Sequence, residues 1–386
     1  MNISGFLKRR IVFPAKNGEF FELPNKKIYD DNLHLKLAIE WLCDAQDATG
    51  VGGVAAYYNL LNNKYGVPYR ETTGYIIPTF IEYSKLTSDK KFFERAVRMG
   101  EWEVQNQHES GGIGEVMKDG SVQLKVFNTG QVMLGWCALW DETKNKKYMD
   151  ATIRAANWLV DIQSENGEWV KFSNSGANVI DSRVAWTLLE VWKRTANARY
   201  KESAQKFLDW AVSQQLENGW FKNCSLRNSD KPWMHFIAYT ISGLREAAHI
   251  LQDEKLFQEA ILPAKKIMEY YNSLPGHKYL PGTFDKDWGS ADKYTCISGN
   301  AQMAVEWIKI YQQTKEVQFY ESACNMIEQL KGLQIIGSDR KEIRGSLAGS
   351  HPVSGDYAAY TIPNWGIKFF ADALILKPGR KAGLIG

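Results

Sequence analysis

Paired cysteines are missing from this 386-residue chain. Cys43, Cys137, Cys224, Cys296 and Cys324 are widely spaced, odd in number and form no CxxC pair, so neither a disulfide framework nor a cysteine zinc site is expected. A reducing compartment fits best. No run of about 18 apolar residues occurs, and the opening MNISGFLKRRIVFPAKNGEF lacks the continuous apolar stretch of a signal peptide. A cytoplasmic protein is expected. Charge of one sign is also lacking: Lys and Arg number 47 against 44 Asp and Glu, a formal net charge of +3, and no basic footprint for nucleic acid is visible. The one local cluster, LKRR at 7–10, reads as a solvated terminal patch, with weak contact to a membrane surface or an acidic partner through Lys8–Arg10 as the alternative. P-loop, HExxH, GxSxG and dinucleotide motifs are all absent, so no cofactor is called for and no metal ligands are assigned, though a structural cation stays open.

What the chain has is a repeat. Trp41 with Gln46, Trp102 with Gln107, Trp158 with Gln163 and Trp210 with Gln215 share one five-residue step, in a unit of about fifty-five residues. An aromatic residue stands ten positions ahead of three of these tryptophans, at Phe92, Tyr148 and Tyr200, and the frame continues through Phe257 and Phe319 to Gln334. Six copies are countable. Between them lie second helical stretches, beginning near residues 72, 128, 181, 235, 298 and 360, that are small or apolar almost all round. The Trp-bearing helices carry charge on one face. An inner and an outer ring follow, with Thr72, Asn128, Asp181 and Ser298 as N-caps of inner helices and TSDKK, TKNKK and TANAR as short polar connectors. Six hairpins with so apolar an inner set can close on themselves. The expected fold is all-α, a single-domain (α/α)6 toroid over residues 31–376, with an N-terminal extension 1–30 and a C-terminal tail 377–386. An open helical array is the alternative.

Gln163 followed by SENGEW and Gln215 followed by LENGW resemble the QxxxGxW repeat of the squalene cyclase and prenyltransferase family. That likeness implies a structural role: the glutamine ties a helix end to the following turn, the tryptophan packs over it, and the glycine ends the outer helix in a left-handed conformation. The DxDD acid motif of the cyclases is absent, and the chain is short for a two-domain cyclase. The repeat organisation as a whole resembles the six-hairpin glycosidase-like superfamily, which holds glycoside hydrolases, polysaccharide lyases, N-acylglucosamine 2-epimerases and the C-terminal domain of glucuronyl C5-epimerases. YRETTGYIIP looks like a segment of helical proteins from bacterial surface-polysaccharide gene clusters.

In such a ring the long loops meet at one end, where inner-helix N-termini favour anionic groups. Glu71, Tyr75, Asn128, Gln131, Asp181, Arg183, His235 and Tyr239 stand at four of the mouths. Asn300, Gln302, Asp356, Tyr357, Tyr360, Asn364 and Trp365 stand at the other two. Rings that stack on sugar faces, beside carboxylates and amides that take hydroxyls, suggest an oligo- or polysaccharide ligand, acidic or acetamido in character. Hydrolysis would draw two carboxyls from Glu71, Asp181 and Asp356. Lyase or epimerase chemistry would use His235 or Tyr357 as base, with Arg183 and Asn128 neutralising a uronate. Tyr75, Gln131, Tyr239, Asn300, Tyr360, Asn364 and Trp365 would bind substrate. Structural readings stand beside these: Asn128 and Asp181 as caps, His235 as a satisfied histidine, Tyr75, Tyr239 and Tyr360 as packing. Arg183, near the start of an apolar helix, must pair with an acid or face the cavity. A non-catalytic glycan-binding or scaffold protein is the competing function; a terpenoid cyclase is a weaker one.

Overall fold

The computed structural model describes residues 27–117, 119–173, 175–226, 230–276 and 279–377; the LKRR cluster lies outside them. Among these residues twelve α-helices alternate between two rings. The outer ring holds α1 (Asp31–Asp47), α3 (Lys90–Gln105), α5 (Lys146–Asp161), α7 (Ala198–Ser213), α9 (Glu254–Ser273) and α11 (Val317–Leu333). The inner ring holds α2 (Arg70–Thr87), α4 (Val126–Thr143), α6 (Ser182–Thr195), α8 (Met234–Leu251), α10 (Ile297–Thr314) and α12 (Asn364–Leu376). Each inner helix lies against the next, and α12 returns to α1 and α2, so the array is a closed toroid rather than an open one.

Burial follows the sequence pattern. Outer helix α5 buries one stripe, Tyr148, Ala151, Thr152, Ala155, Trp158 and Leu159, at helical spacing, whereas inner helix α4 is buried on nearly every side. Inner helices come close because small residues face their neighbours. A Cβ on Gly74 of α2 would fall 2.5 Å from the Val132 Cα of α4, so only glycine permits this backbone approach.

The repeated glutamine does more than the resemblance implied. Gln163 Nε2 donates to Gly167 O at 2.6 Å in its own turn and to Ser203 O at 3.0 Å on the next outer helix. Gln46, Gln107 and Gln215 each do the same, to Gly52 and Arg95, Gly111 and Ala151, and Gly219 and Glu259. Gln334 donates to Gly345 O at 2.8 Å and to His34 O at 3.0 Å, so the last copy clasps the first. The glycine does not end the helix: α5 stops at Asp161, and Gly167, at φ +98°, closes a turn in which its N–H donates to Ser164 O. The tryptophan of the next outer helix then covers the turn, as Trp102 covers Gly53 and Trp158 covers Gly112.

The expected N-caps are corrected. Inner helices α2, α4 and α10 start one or two residues earlier than expected, at Arg70, Val126 and Ile297, which places Thr72, Asn128 and Ser298 inside the first turn. Asp181 does precede α6, but its side chain makes no capping bond, because a 3-10 turn, Val179–Asp181, capped by Asn178, leads into the helix. The long loops contain short strands that the all-α expectation does not include: β1 (Tyr57–Asn59), β2 (Lys64–Tyr65), β3 (Gly114–Val116), β4 (Val122–Leu124), β5 (Thr295–Cys296), β6 (Ser350–His351) and β7 (Thr361–Pro363). They pair antiparallel in the orders β2-β1-β7, β3-β4 and β5-β6. Two- and three-residue strands are too short for alternation to be legible in sequence.

Candidate active site

At the N-terminal end of the inner ring the loops enclose a cavity of about 260 Å³. Five of the residues singled out above line it: Glu71, His235, Tyr239, Tyr357 and Trp365. They come from α2, α8, α12 and the loop ahead of α12, so ring closure is what assembles them. His235 lies nearly parallel to Trp365 at 6.3 Å and tilted on Tyr239 at 4.3 Å; Trp365 Nε1 donates to the Tyr357 hydroxyl at 2.8 Å. Such an aromatic wall suits the apolar face of a sugar.

Glu71 is the one carboxyl among the residues that line this wall. The Tyr69 hydroxyl donates to Glu71 Oε2 at 2.8 Å, and Tyr239 hydrogen-bonds it from α8. Burial pushes its carboxyl up to about 7, assisted by the nearby Glu115 and opposed by the two phenols and by Arg183. His235 Nδ1 meets Gln302 Oε1 at 2.6 Å, and burial pushes the imidazole down to about 3, so it is neutral at physiological pH.

Asp181 is a second buried carboxyl, next in sequence to the wall residue Ile180 but not itself among the lining residues. The Asn178 turn directs Ile180 into the cavity wall and leaves Asp181 2% exposed, with Oδ2 lacking a hydrogen-bond partner among the described residues. Burial alone holds it well above the usual carboxylate range. Both side-chain atoms of Asn128, and Nε2 of Gln131, are likewise buried and unpartnered among the described residues. Groups left this way cost about 1–3 kcal/mol each, and neither Asn128 nor Gln131 is among the residues that line the cavity.

Among the described residues Arg183 neither forms an ion pair with an acid nor lines the cavity. Its Nε donates to Gln131 Oε1 at 2.8 Å and Nη1 to Ser242 Oγ at 2.9 Å, while the guanidinium stacks 5.0 Å from the Tyr239 ring centre and 5.1 Å from that of Trp186. Neutral acceptors and two aromatic faces replace the expected carboxylate. Tyr75 does not line the cavity, and its hydroxyl lies 3.1 Å from that of Tyr239. Asn300 and Asn364 are taken up in structure: the first ties Leu280, Thr295 and Cys296, the second Ala55 and Thr72. Asp356 is exposed beyond the wall, and Tyr360, at φ +55°, meets Leu60 through its backbone.

Tyr69, Phe127, Ile180, Leu226, Trp233 and Phe236 also line the cavity and were missed. Tyr69 and Trp233 are the residues just before α2 and α8. The usable signal was an aromatic at the last loop position, hidden because the helix starts were placed too late.

Among the described residues no group of three or more His, Cys, Asp and Glu could hold a metal ion, and no helix is long and apolar enough to cross a membrane. No match emerges among curated proteins. Solved structures share the fold. A sugar epimerase from a ruminal bacterium aligns with TM-score 0.71 at 15% identity, over 91% of this chain and 98% of its own. An unsaturated glucuronyl hydrolase specific for heparin aligns with TM-score 0.70 at 15% identity, over 90% and 97%. The unsaturated glucuronyl hydrolase of Bacillus sp. GL1, responsible for degradation of glycosaminoglycan, aligns with TM-score 0.69 at 15% identity, over 91% and 100%. The family model for Glycosyl Hydrolase Family 88 matches residues 95–291, half of the chain, from α3 to the loop ahead of α10. An enzyme acting on glycans is therefore what this toroid encloses, and the chain belongs to Glycosyl Hydrolase Family 88.

Proposed function

We propose that the chain hydrolyses an acidic oligosaccharide whose terminal sugar enters the aromatic cavity, with Glu71 and Asp181 as the carboxyl pair. The observation that carries this is Glu71, a wall carboxyl held near neutrality and so able to take a proton from water at working pH. Asp181, whose carboxyl burial holds well above the usual carboxylate range, is the donor to the departing oxygen, leaving Glu71 as the base. Asp356, exposed to solvent, is given no part. His235, neutral and in the wall, accepts a hydrogen bond from a sugar hydroxyl, and Trp365 and Tyr357 support the ring.

The free amide hydrogens of Asn128 and Gln131 would receive a uronate carboxylate. The lyase or epimerase version loses support, because its intended cation, Arg183, is bound by Gln131 and Ser242 behind Tyr239. The acidic substrates named for the glucuronyl hydrolases, and the YRETTGYIIP segment, support a place in bacterial polysaccharide metabolism.

The test is incubation with a panel of uronate-terminated and neutral acetamido oligosaccharides, read by mass spectrometry for water addition. Wild type should cleave a member of the acidic set, and Asp181→Asn should lose about 100-fold or more in rate while keeping its melting temperature. Calorimetric binding without product would instead establish a glycan-binding protein.

A further inference from the structure

Glu115 lies outside the cavity wall, on strand β3 of the hairpin between α3 and α4. Its Oε1 stands 3.4 Å from the Tyr69 hydroxyl, which donates to Glu71 Oε2 at 2.8 Å. Among the described residues Glu115 makes no ion pair, and the β3-β4 ladder, through Glu115 opposite Gln123, fixes where its backbone sits. One phenol hydroxyl therefore stands between two carboxyls brought from different repeats, and it has a single hydrogen to give. We propose that Glu115 and Tyr69 are positioning residues for Glu71, and that the sharing of this one hydroxyl governs whether Glu71 holds a proton when substrate arrives. This deepens the hydrolase reading above and rests on it.

The physics of the arrangement is directional. Tyr69 stabilises the Glu71 anion by donating to it, whereas a negative Glu115 close by disfavours that anion. Tyr69 itself stays protonated, since burial and both carboxylates hold its phenol well above the usual range, so it is a fixed donor and not a base. The other elements around Glu71 contribute Arg183 from α6 and the Tyr239 hydroxyl from α8, both of which favour the anion. From α4 the wall residue is Phe127, which does not titrate, and Lys368 of α12 is turned to Asp372 and the Tyr75 ring. Among the described residues Glu115 is thus the carboxylate that opposes ionisation of Glu71, and its hairpin contributes no residue to the wall.

Removal of each partner should move Glu71 in opposite directions. Side-chain carbon-13 labelling of glutamate, with Glu71→Gln to assign the resonance, follows Glu71 by NMR titration in the full chain without substrate. Glu115→Gln should lower the titration midpoint by about 1 pH unit and Tyr69→Phe should raise it by a similar amount. The rising limb of the kcat/KM profile on a cleaved oligosaccharide should move with it, so that Glu115→Gln is several-fold faster than wild type at pH 6 and Tyr69→Phe several-fold slower. Midpoints that stay in place, or move the same way in both variants, overturn the proposal. A fully active Glu71→Gln enzyme would sink the assignment of Glu71 as base, while the NMR shifts would still report whether the shared hydroxyl controls its proton.

Discussion

Replacement of Glu71 by glutamine should make the protein inactive and, in a defined pH range, more stable. The carboxyl titrates near 7 in the fold against an ordinary 4.5, so the folded state keeps a proton that the unfolded chain releases. The sign follows: below pH 4.5 both states are protonated and the site costs nothing, and as pH rises from 4.5 to 7 folding loses stability, after which the loss is constant. Taken at face value the gap corresponds to about 3 kcal/mol. Because Glu71 keeps part of its surface open to the cavity, solvent screening reduces this to about 1–2 kcal/mol. Glutamine has the same shape, accepts the Tyr69 hydrogen bond and carries no charge, so it escapes the loss. Urea unfolding of both proteins at pH 4.2 and pH 8 should therefore show equal stability at the lower pH and an advantage of about 1–2 kcal/mol for the variant at the higher, alongside a 100-fold or greater drop in turnover. An unchanged difference between the two pH values would refute the raised carboxyl, and retained turnover would refute its role.

Arg183→Ala should lose stability as well as turnover, by about 2–4 kcal/mol, because it empties a slot between Tyr239 and Trp186 and orphans Gln131 and Ser242; an unaltered denaturation midpoint would contradict this. Gln163→Ala removes two donated bonds and the one accepted from Ser203 Oγ at 2.7 Å, and should cost about 2–3 kcal/mol, read as a melting temperature lower by about 3–4 °C. Arg245→Met leaves buried Glu306, now 2.6 Å from the guanidinium, without its partner, and should cost about 3–5 kcal/mol in chemical denaturation, with the Lys309–Glu246 pair left to soften the effect.

The ring was legible because its signals are local and repeated. Trp158 and Gln163 stand in one frame with Trp102, Gln107, Trp210 and Gln215, and the buried stripe of α5 can be read at helical spacing. The site was legible only in part, because it depends on distances across the ring. Glu71 and His235 could be named from their places near helix starts. That Arg183 would be satisfied by Gln131 and Ser242, three helices contributing one residue each, could not be read from any single segment. Tyr69 and Glu115 escaped for the same reason: each is ordinary in its own loop, and only the packing of the β3-β4 hairpin against the approach to α2 gives them a common atom to share.

The clasp from Gln334 to His34 and the ion pair of Lys377 with Asp31 at 2.9 Å bring the beginning of α1 and the end of α12 side by side. A ring joined there has no privileged first repeat. Linking these two points and opening the chain at a short polar connector such as TKNKK, between α4 and α5, would renumber the hairpins while leaving every rim residue in place, so this scaffold is a natural subject for circular permutation. In the native order, by contrast, the wall stays incomplete until the last hairpin, bearing Tyr357 and Trp365, has been synthesised, and the nascent chain carries no working pocket before then.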